Sequence, residues 1–214
     1  MSGRFITLEG IEGAGKSTVA AALVRAIEAR GLVVRATREP GGTPLAERLR
    51  ETVLTRGDEL VSPEAETLLM FAARAVHLDN LVRPALARGE WVVCDRFTDA
   101  TRAYQGGGRG VDPQFIESMA RAVHRGTEPD LTLLLDLPVD VGLERARRRR
   151  VAAGQPVADR FESESLEFFG RVRARYLEIA AAQPQRVHVL DATQDATRVA
   201  AAATAALDAM IGAR

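Results

Sequence analysis

Residues 10–17 constrain this chain more than any other stretch. They read Gly10-Ile11-Glu12-Gly13-Ala14-Gly15-Lys16-Ser17 and match G-x-x-x-x-G-K-S/T in full. An apolar run, Phe5-Ile6-Thr7-Leu8, precedes them, and an Ala-rich helical stretch, Ser17–Arg30, follows. Glycines let successive backbone N–H groups turn inward around a phosphate without Cβ clashes. The helix that starts near Lys16 adds its positive end. Lys16 is expected to reach the β- and γ-phosphates of a nucleoside triphosphate, and the Ser17 hydroxyl to ligate Mg²⁺. Thr18 falls in the same turn.

A strand, a phosphate loop and a helix form the first unit of an α/β domain, and the rest of the chain continues the alternation. Leu32–Val34, Trp91–Cys94, Leu131–Leu137 and Val187–Leu190 read as further short strands, apolar on both faces. Between them lie helical stretches at Glu64–Arg88, bent at Pro84, and at Gln114–Arg125, Leu166–Ala182 and Thr197–Ile211. This predicts a central five-stranded parallel sheet flanked by helices, with ligands beyond the carboxyl ends of the strands. No linker or repeat divides the chain, so residues 1–214 are expected to form one domain.

Charge sharpens the loop. The 29 basic residues balance 29 acidic ones, which argues against a general grip on nucleic acid or anionic membrane. Of the basic residues 28 are Arg, and the one Lys is Lys16. A compact ammonium on a thin stem is needed there, and a planar guanidinium is not equivalent. The single Lys also excludes the N-K-x-D element of guanine-specific switch proteins. One cysteine, Cys94, excludes an internal disulfide, and His77, His124 and His188 show no metal-ligand spacing. The N-terminal MSGRFITLEG has no apolar signal core, and no apolar run reaches the length of about 18 residues that spans a bilayer. A soluble, cytoplasmic protein is expected.

Further motifs follow the later strands. They are Thr37-Arg38-Glu39-Pro40-Gly41-Gly42-Thr43, Asp95-Arg96-Phe97 and Ala103-Tyr104-Gln105-Gly106-Gly107-Gly108-Arg109-Gly110. An Arg-rich stretch, Arg145 to Arg150, is followed by Asp159-Arg160-Phe161-Glu162. Asp95, at the end of a buried strand, can hold Mg²⁺ directly or through water. Arg96 can clamp phosphates with its bidentate fork. Arg145 and Arg149 are four apart, on one helical face. Most charge runs are solvated helix faces, and Arg147, Arg148 and Arg150 are read that way.

With the phosphate loop, these strings resemble bacterial thymidylate kinases (dTMP kinases) from Phe5 to Asp191-Ala192-Thr193. The resemblance implies ATP-dependent phosphorylation of dTMP, Mg²⁺ as cofactor and a homodimer. It places Glu12 at the acceptor sugar 3′-OH and Glu39 on the substrate side. It sets Arg74 at the thymine O4, with Thr101 and Gln105 along the pyrimidine edge. Tyr104 would crowd the 2′ position. Family members carry Phe four residues before this Arg as a stacking platform. Here that position is Met70, and the neighbouring Phe71 is preferred because an aromatic face stacks better on a base. Where Ser is common in the family this chain has Ala100. The loop has Gly13 and Ala14 where some relatives supply a basic residue, so the resemblance assigns that charge to a lid at about 145–160. There Arg145 would pack on adenine and Arg149 would reach the transferring phosphate. Val151–Ala158 would form the lid tip.

Overall fold

The computed structural model describes residues 3–55, 59–154 and 160–212. The order of elements is β1 (Phe5–Glu9), α1 (Lys16–Glu28), β2 (Val34–Arg38), α2 (Pro44–Leu54) and α3 (Pro63–His77). Next come α4 (Arg83–Ala87), β3 (Trp91–Asp95), α5 (Thr98–Thr101), α6 (Pro113–His124) and β4 (Leu131–Asp136). The chain continues through α7 (Val139–Ala152), α8 (Leu166–Ala182), β5 (Val187–Asp191) and α9 (Ala196–Gly212). Short π-helical segments, 78–82 and 102–108, follow α3 and α5.

The sheet has five strands in the order β2-β3-β1-β4-β5, and every neighbouring pair is parallel. β1 is central, with Leu8 beside Asp95 of β3 and Glu9 beside Leu134 of β4. This register brings the end of β1, the loop after it and Asp95 to one edge of the sheet. Side chains alternate across the pleat. Ile6, Leu8 and Val93 belong to the main core cluster, while Phe5, Val92 and Cys94 pack with Leu78, Val82 and Phe97. That two-sided burial is why the β1 and β3 runs are apolar throughout.

The edge strand departs from expectation. Leu32–Val34 is not the strand; β2 begins at Val34 and runs through the polar residues to Arg38. An edge strand in this position leaves Arg35, Ala36 and Arg38 exposed, so no continuous apolar run marks it. The long helix Glu64–Arg88 is broken into α3, a π-helical segment and α4. Pro84 lacks an N–H and its ring crowds the carbonyl four residues back. The backbone relaxes by widening the preceding turn, where the Arg83 N–H reaches the Leu78 carbonyl five residues earlier.

Helix starts are chemically explicit. Ser62 caps α3, Asp112 caps α6 and Ser165 caps α8 by accepting from backbone N–H groups, and Pro63 and Pro113 fill first-turn positions where no donor is needed. α1 buries Val19, Leu23 and Ile27 at helical spacing. Leu23→Ala there would cost about 2–5 kcal/mol. Among the described residues no helix is long and apolar enough to cross a membrane.

Candidate active site

A cavity of about 260 Å³ opens at the carboxyl edge of β1, β2 and β3. The phosphate loop forms one side. Gly13 has φ 73°, and a Cβ on it would stand 1.9 Å from the Gly142 carbonyl of α7. A Cβ on Gly142 would in turn stand 2.7 Å from the Glu12 carbonyl. The loop is therefore seated directly on α7 by two glycines, and Gly142 was not marked by any sequence motif. Lys16 is buried and donates to the carbonyls of Gly10 and Ile11, each at 3.0 Å. Burial, with the Arg96 charge, pushes its ammonium down to about 8 against the pull of Asp95, Glu12 and Glu9.

Arg96 follows β3 in the left-handed region at φ 71°, a strained backbone for a residue with a side chain. The fold compensates with contacts. Its guanidinium donates to Glu12 at 2.9 Å, to the Gly10 carbonyl at 3.0 Å and to the Tyr176 hydroxyl at 3.3 Å, and lies 4.8 Å from the Tyr104 ring centre. Tyr104 donates its hydroxyl to the other Glu12 oxygen at 2.7 Å. Beneath this group Glu9 accepts from the Phe97 N–H and the Tyr176 hydroxyl, both at 2.7 Å. Burial, reinforced by Asp99, lifts the Glu9 carboxyl to about 7 against Arg96 and its two hydrogen bonds. Asp95 lines the cavity, and its Oδ1 is buried with no hydrogen-bond partner.

The opposite wall is built from α3 and α5. Arg74 is 3% exposed and donates through Nε to Glu39 at 2.7 Å. Its Nη2 donates to the Phe97 carbonyl and the Thr101 hydroxyl, both at 3.1 Å. Its Nη1 is buried with no hydrogen-bond partner. The second Glu39 oxygen accepts from His77 Nδ1 at 2.8 Å, and His77 Nε2 meets the Thr37 hydroxyl at 2.8 Å. Burial alone would raise the Glu39 carboxyl, but the Arg74 charge and the His77 bond hold it below the usual range. Gln105 lines the same wall and donates through Nε2 to Glu66 at 2.7 Å.

A cavity with a phosphate loop at one side and buried polar groups at the other suits a nucleotide and an acceptor. The thymidylate kinase family model matches residues 8–203. The chain belongs to the thymidylate kinase family. It is 56% identical to the thymidylate kinase of Pseudomonas syringae pv. syringae (strain B728a) over 194 residues, covering 91% of this chain and 90% of that one. Against the Methylococcus capsulatus (strain Bath) thymidylate kinase it is 51% identical over 209 residues, covering 98% and 97%. The crystal structure of the Ehrlichia chaffeensis thymidylate kinase superposes with a TM-score of 0.78 at 31% identity, covering 97% of this chain and all of that one.

Of the residues expected from sequence, the cavity gathers Glu12, Gly13, Gly15, Lys16 and Ser17 of the loop. It also gathers Glu39, Arg74, Asp95, Arg96, Thr101, Tyr104, Gln105 and Arg149. Gly10, Ile11, Ala14 and Thr18 do not line it. Ile11 and Ala14 are buried in the core behind the loop, and Thr18 is exposed on α1. Arg145 also lies outside it, donating at 2.8 Å to the Ala192 carbonyl after β5. Arg149 stands at the cavity rim, 63% exposed and 4.0 Å from Glu162.

Two expectations are corrected. Phe71 does not face the cavity. It is buried with Val111, Ile116 and Ala120, its ring 4.9 Å from the Arg74 guanidinium carbon, and Met70 takes the cavity side. The helix phase decides this: Met70 is four residues from both Glu66 and Arg74 and shares their face. Arg150 is not a solvated member of the charge run. It is 18% exposed and pairs with Glu162 at 2.6 Å. Arg147 and Arg148 are exposed and share Glu144. The expected lid tip and Asp159 fall mainly on residues 155–159, outside the described residues.

Sequence reading missed Glu9, Glu66, His77, Gly142 and Tyr176. None sits in a recognisable string. A buried carboxylate is visible only once its distant partners are placed.

Proposed function

We propose that this protein transfers the γ-phosphoryl group of ATP to dTMP, giving dTDP and ADP. The observation that carries the reading is the joining of two chemistries in one cavity: the Lys16 loop on one wall, and the Arg74–Thr101–Gln105 group on the other. The loop and the start of α1 would cradle the β- and γ-phosphates of ATP. Arg145 and the turn at Ala192–Thr193 would flank adenine. Arg74 Nη1 would donate to the thymine 4-keto oxygen, with Thr101 and Gln105 along the same edge and Met70 beneath the ring. Glu12 would meet the sugar 3′-OH, and Tyr104 the 2′ side.

The acceptor is itself a phosphate with a second pKa of about 6, so at neutral pH it is largely dianionic and needs no general base. Catalysis is then alignment and charge neutralisation. Arg96, held by its Glu12 and Tyr176 contacts, would grip the acceptor phosphate, and Lys16 would hold the donor. Arg149, exposed at the rim, would swing in as the carboxyl end of α7 closes on the bound nucleotides and excludes water.

Mg²⁺ fits the residues present. Asp95 offers a buried carboxylate oxygen with no other partner, and Ser17 a hydroxyl on the same cavity. Among the described residues no cluster of three or more His, Cys, Asp or Glu could cage a metal, which suits an ion held largely by substrate phosphates. When bound, the ion would neutralise phosphate oxygens. A homodimer and a cytoplasmic setting complete the reading, and light scattering tests the first.

The decisive assay is coupled ADP release with a panel of nucleoside monophosphates. Strong stimulation by dTMP is expected. Stimulation by AMP or CMP with none by dTMP would refute the substrate assignment.

A further inference from the structure

The base-side wall is backed by a charged cluster that no motif announces. Glu66 of α3 is fully buried. Its Oε1 accepts from Gln105 Nε2 at 2.7 Å, and Arg109 Nε lies 3.4 Å from the same oxygen. Its Oε2 pairs with Arg160 Nη2 at 3.0 Å. Two guanidinium groups thus compensate the carboxylate. An ionised carboxylate has no proton to donate. Gln105 must therefore turn its NH₂ end toward Glu66, and its carbonyl oxygen is the amide atom left for the cavity. Without that constraint a glutamine can present either end, since the two are alike in size and opposite in polarity.

The same wall holds an uncommitted donor. Arg74 Nη1 is buried and unpartnered, while its other nitrogens are engaged by Glu39, Phe97 and Thr101. A wall that offers the Arg74 donor beside the Gln105 acceptor complements a pyrimidine carrying a 4-keto oxygen and an N3–H. A 4-aminopyrimidine reverses both positions and would set donor against donor and acceptor against acceptor. Burying such a mismatch is costly, because each polar group is left unpaired.

We infer that Glu66 is a specificity-determining positioning residue: by holding the Gln105 amide in one orientation, it makes the site select 4-keto over 4-amino pyrimidine monophosphates. It touches no substrate itself. The inference rests on the dTMP reading above and deepens it.

Steady-state kinetics with dTMP, dUMP and dCMP test it. Glu66→Gln keeps the size of the side chain but can donate as well as accept, so Gln105 becomes free to turn. The ratio of kcat/KM for dTMP over dCMP should shrink by about tenfold or more. The change should come from a higher KM for dTMP and a lower one for dCMP, with kcat on saturating dTMP within about threefold of wild type. dUMP should follow dTMP, since both carry the same edge. An equal loss on dTMP and dCMP, leaving the ratio unchanged, would overturn the inference and leave Glu66 merely structural.

The double variant Glu66→Gln/Gln105→Glu exchanges the two groups. The carboxylate at position 105 then shows the base only acceptor oxygens, so the preference for dTMP should return. Should the single variant fail to fold, the exchange decides alone: preference for dTMP supports the inference, and acceptance of dCMP overturns it. Failure of the underlying reading is distinguishable, because wild-type protein would then show no dTMP-dependent turnover at all.

Discussion

The two walls of the cavity are built on opposite principles. The phosphate loop is local: eight consecutive residues, three of them Gly, shape it, and Lys16 bonds to carbonyls five and six residues away. The base-side wall is assembled from distant parts, with Arg74 reaching Glu39 across 35 residues and Gln105 reaching Glu66 across 39. Their arginines differ accordingly. Arg149 is exposed and lightly held, whereas Arg74 is buried between the Phe71 and Phe97 rings. A phosphate carries strong charge that mobile cations can meet. A base differs from its competitors by single donors and acceptors, which only a rigid wall can read.

Mutations should separate the walls, and the phosphate side should show the largest effect. Arg149→Ala should lower kcat by on the order of 10³–10⁵ while leaving the melting temperature nearly unchanged, because the side chain is mostly solvated. Normal turnover, or a large loss of stability, would erase the contrast. Lys16→Arg keeps the charge but not the shape and should cost on the order of 10²–10³ in kcat, measured by ADP release.

Arg74→Ala should do the reverse in kind. It strips the buried Glu39 carboxylate of its guanidinium partner, and losing one side of such a pair costs about 3–5 kcal/mol. The melting temperature should fall by about 6–20 °C. A variant as stable as wild type would show that the wall is not interlocked.

Glu9 ties the walls together beneath Arg96, and its effect depends on pH. Its folded value of about 7 lies above the ordinary 4.5. Its contribution to stability is therefore full below about pH 4.5 and is lost as pH rises through 7. Glu9→Gln does not titrate and should gain up to about 3 kcal/mol on wild type between pH 4.5 and pH 8. Thermal melts of both proteins across that range should diverge; parallel profiles would contradict the assignment.

The smallest effect sharpens the base wall. Met70→Phe should place an aromatic face under the base and lower the dTMP KM a few-fold, about 0.5–1.5 kcal/mol. Phe71→Leu should reduce stability and leave that KM within about twofold. The opposite outcome would return the stacking role to Phe71.

Much of the fold was legible without coordinates. β1, β3, β4 and β5 appear as short apolar runs, and α8 falls on the predicted Leu166–Ala182. Other elements were hidden for physical reasons. β2 is polar because it lies at a sheet edge and buries none of its five residues fully, whereas β5, at the other edge, still buries Val187 and Leu190. The segment 102–108 carries three glycines, yet it is helical, and Gly108 is there because a Cβ on it would stand 2.4 Å from the Phe168 ring of α8. Packing requires Gly there although propensity disfavours it.

The phosphate-loop string, the alternating α/β order and the place of the lone Lys16 within that loop were legible in the sequence alone, because each is written in consecutive residues or in the succession of short runs. Tertiary structure decided which face of α3 meets the cavity, and hence Met70 over Phe71. It also decided that Arg150 is paired with Glu162, and that the Gln105 amide nitrogen is turned to Glu66. Helix phase and buried ion pairs across dozens of residues are set by packing, and no local pattern encodes them.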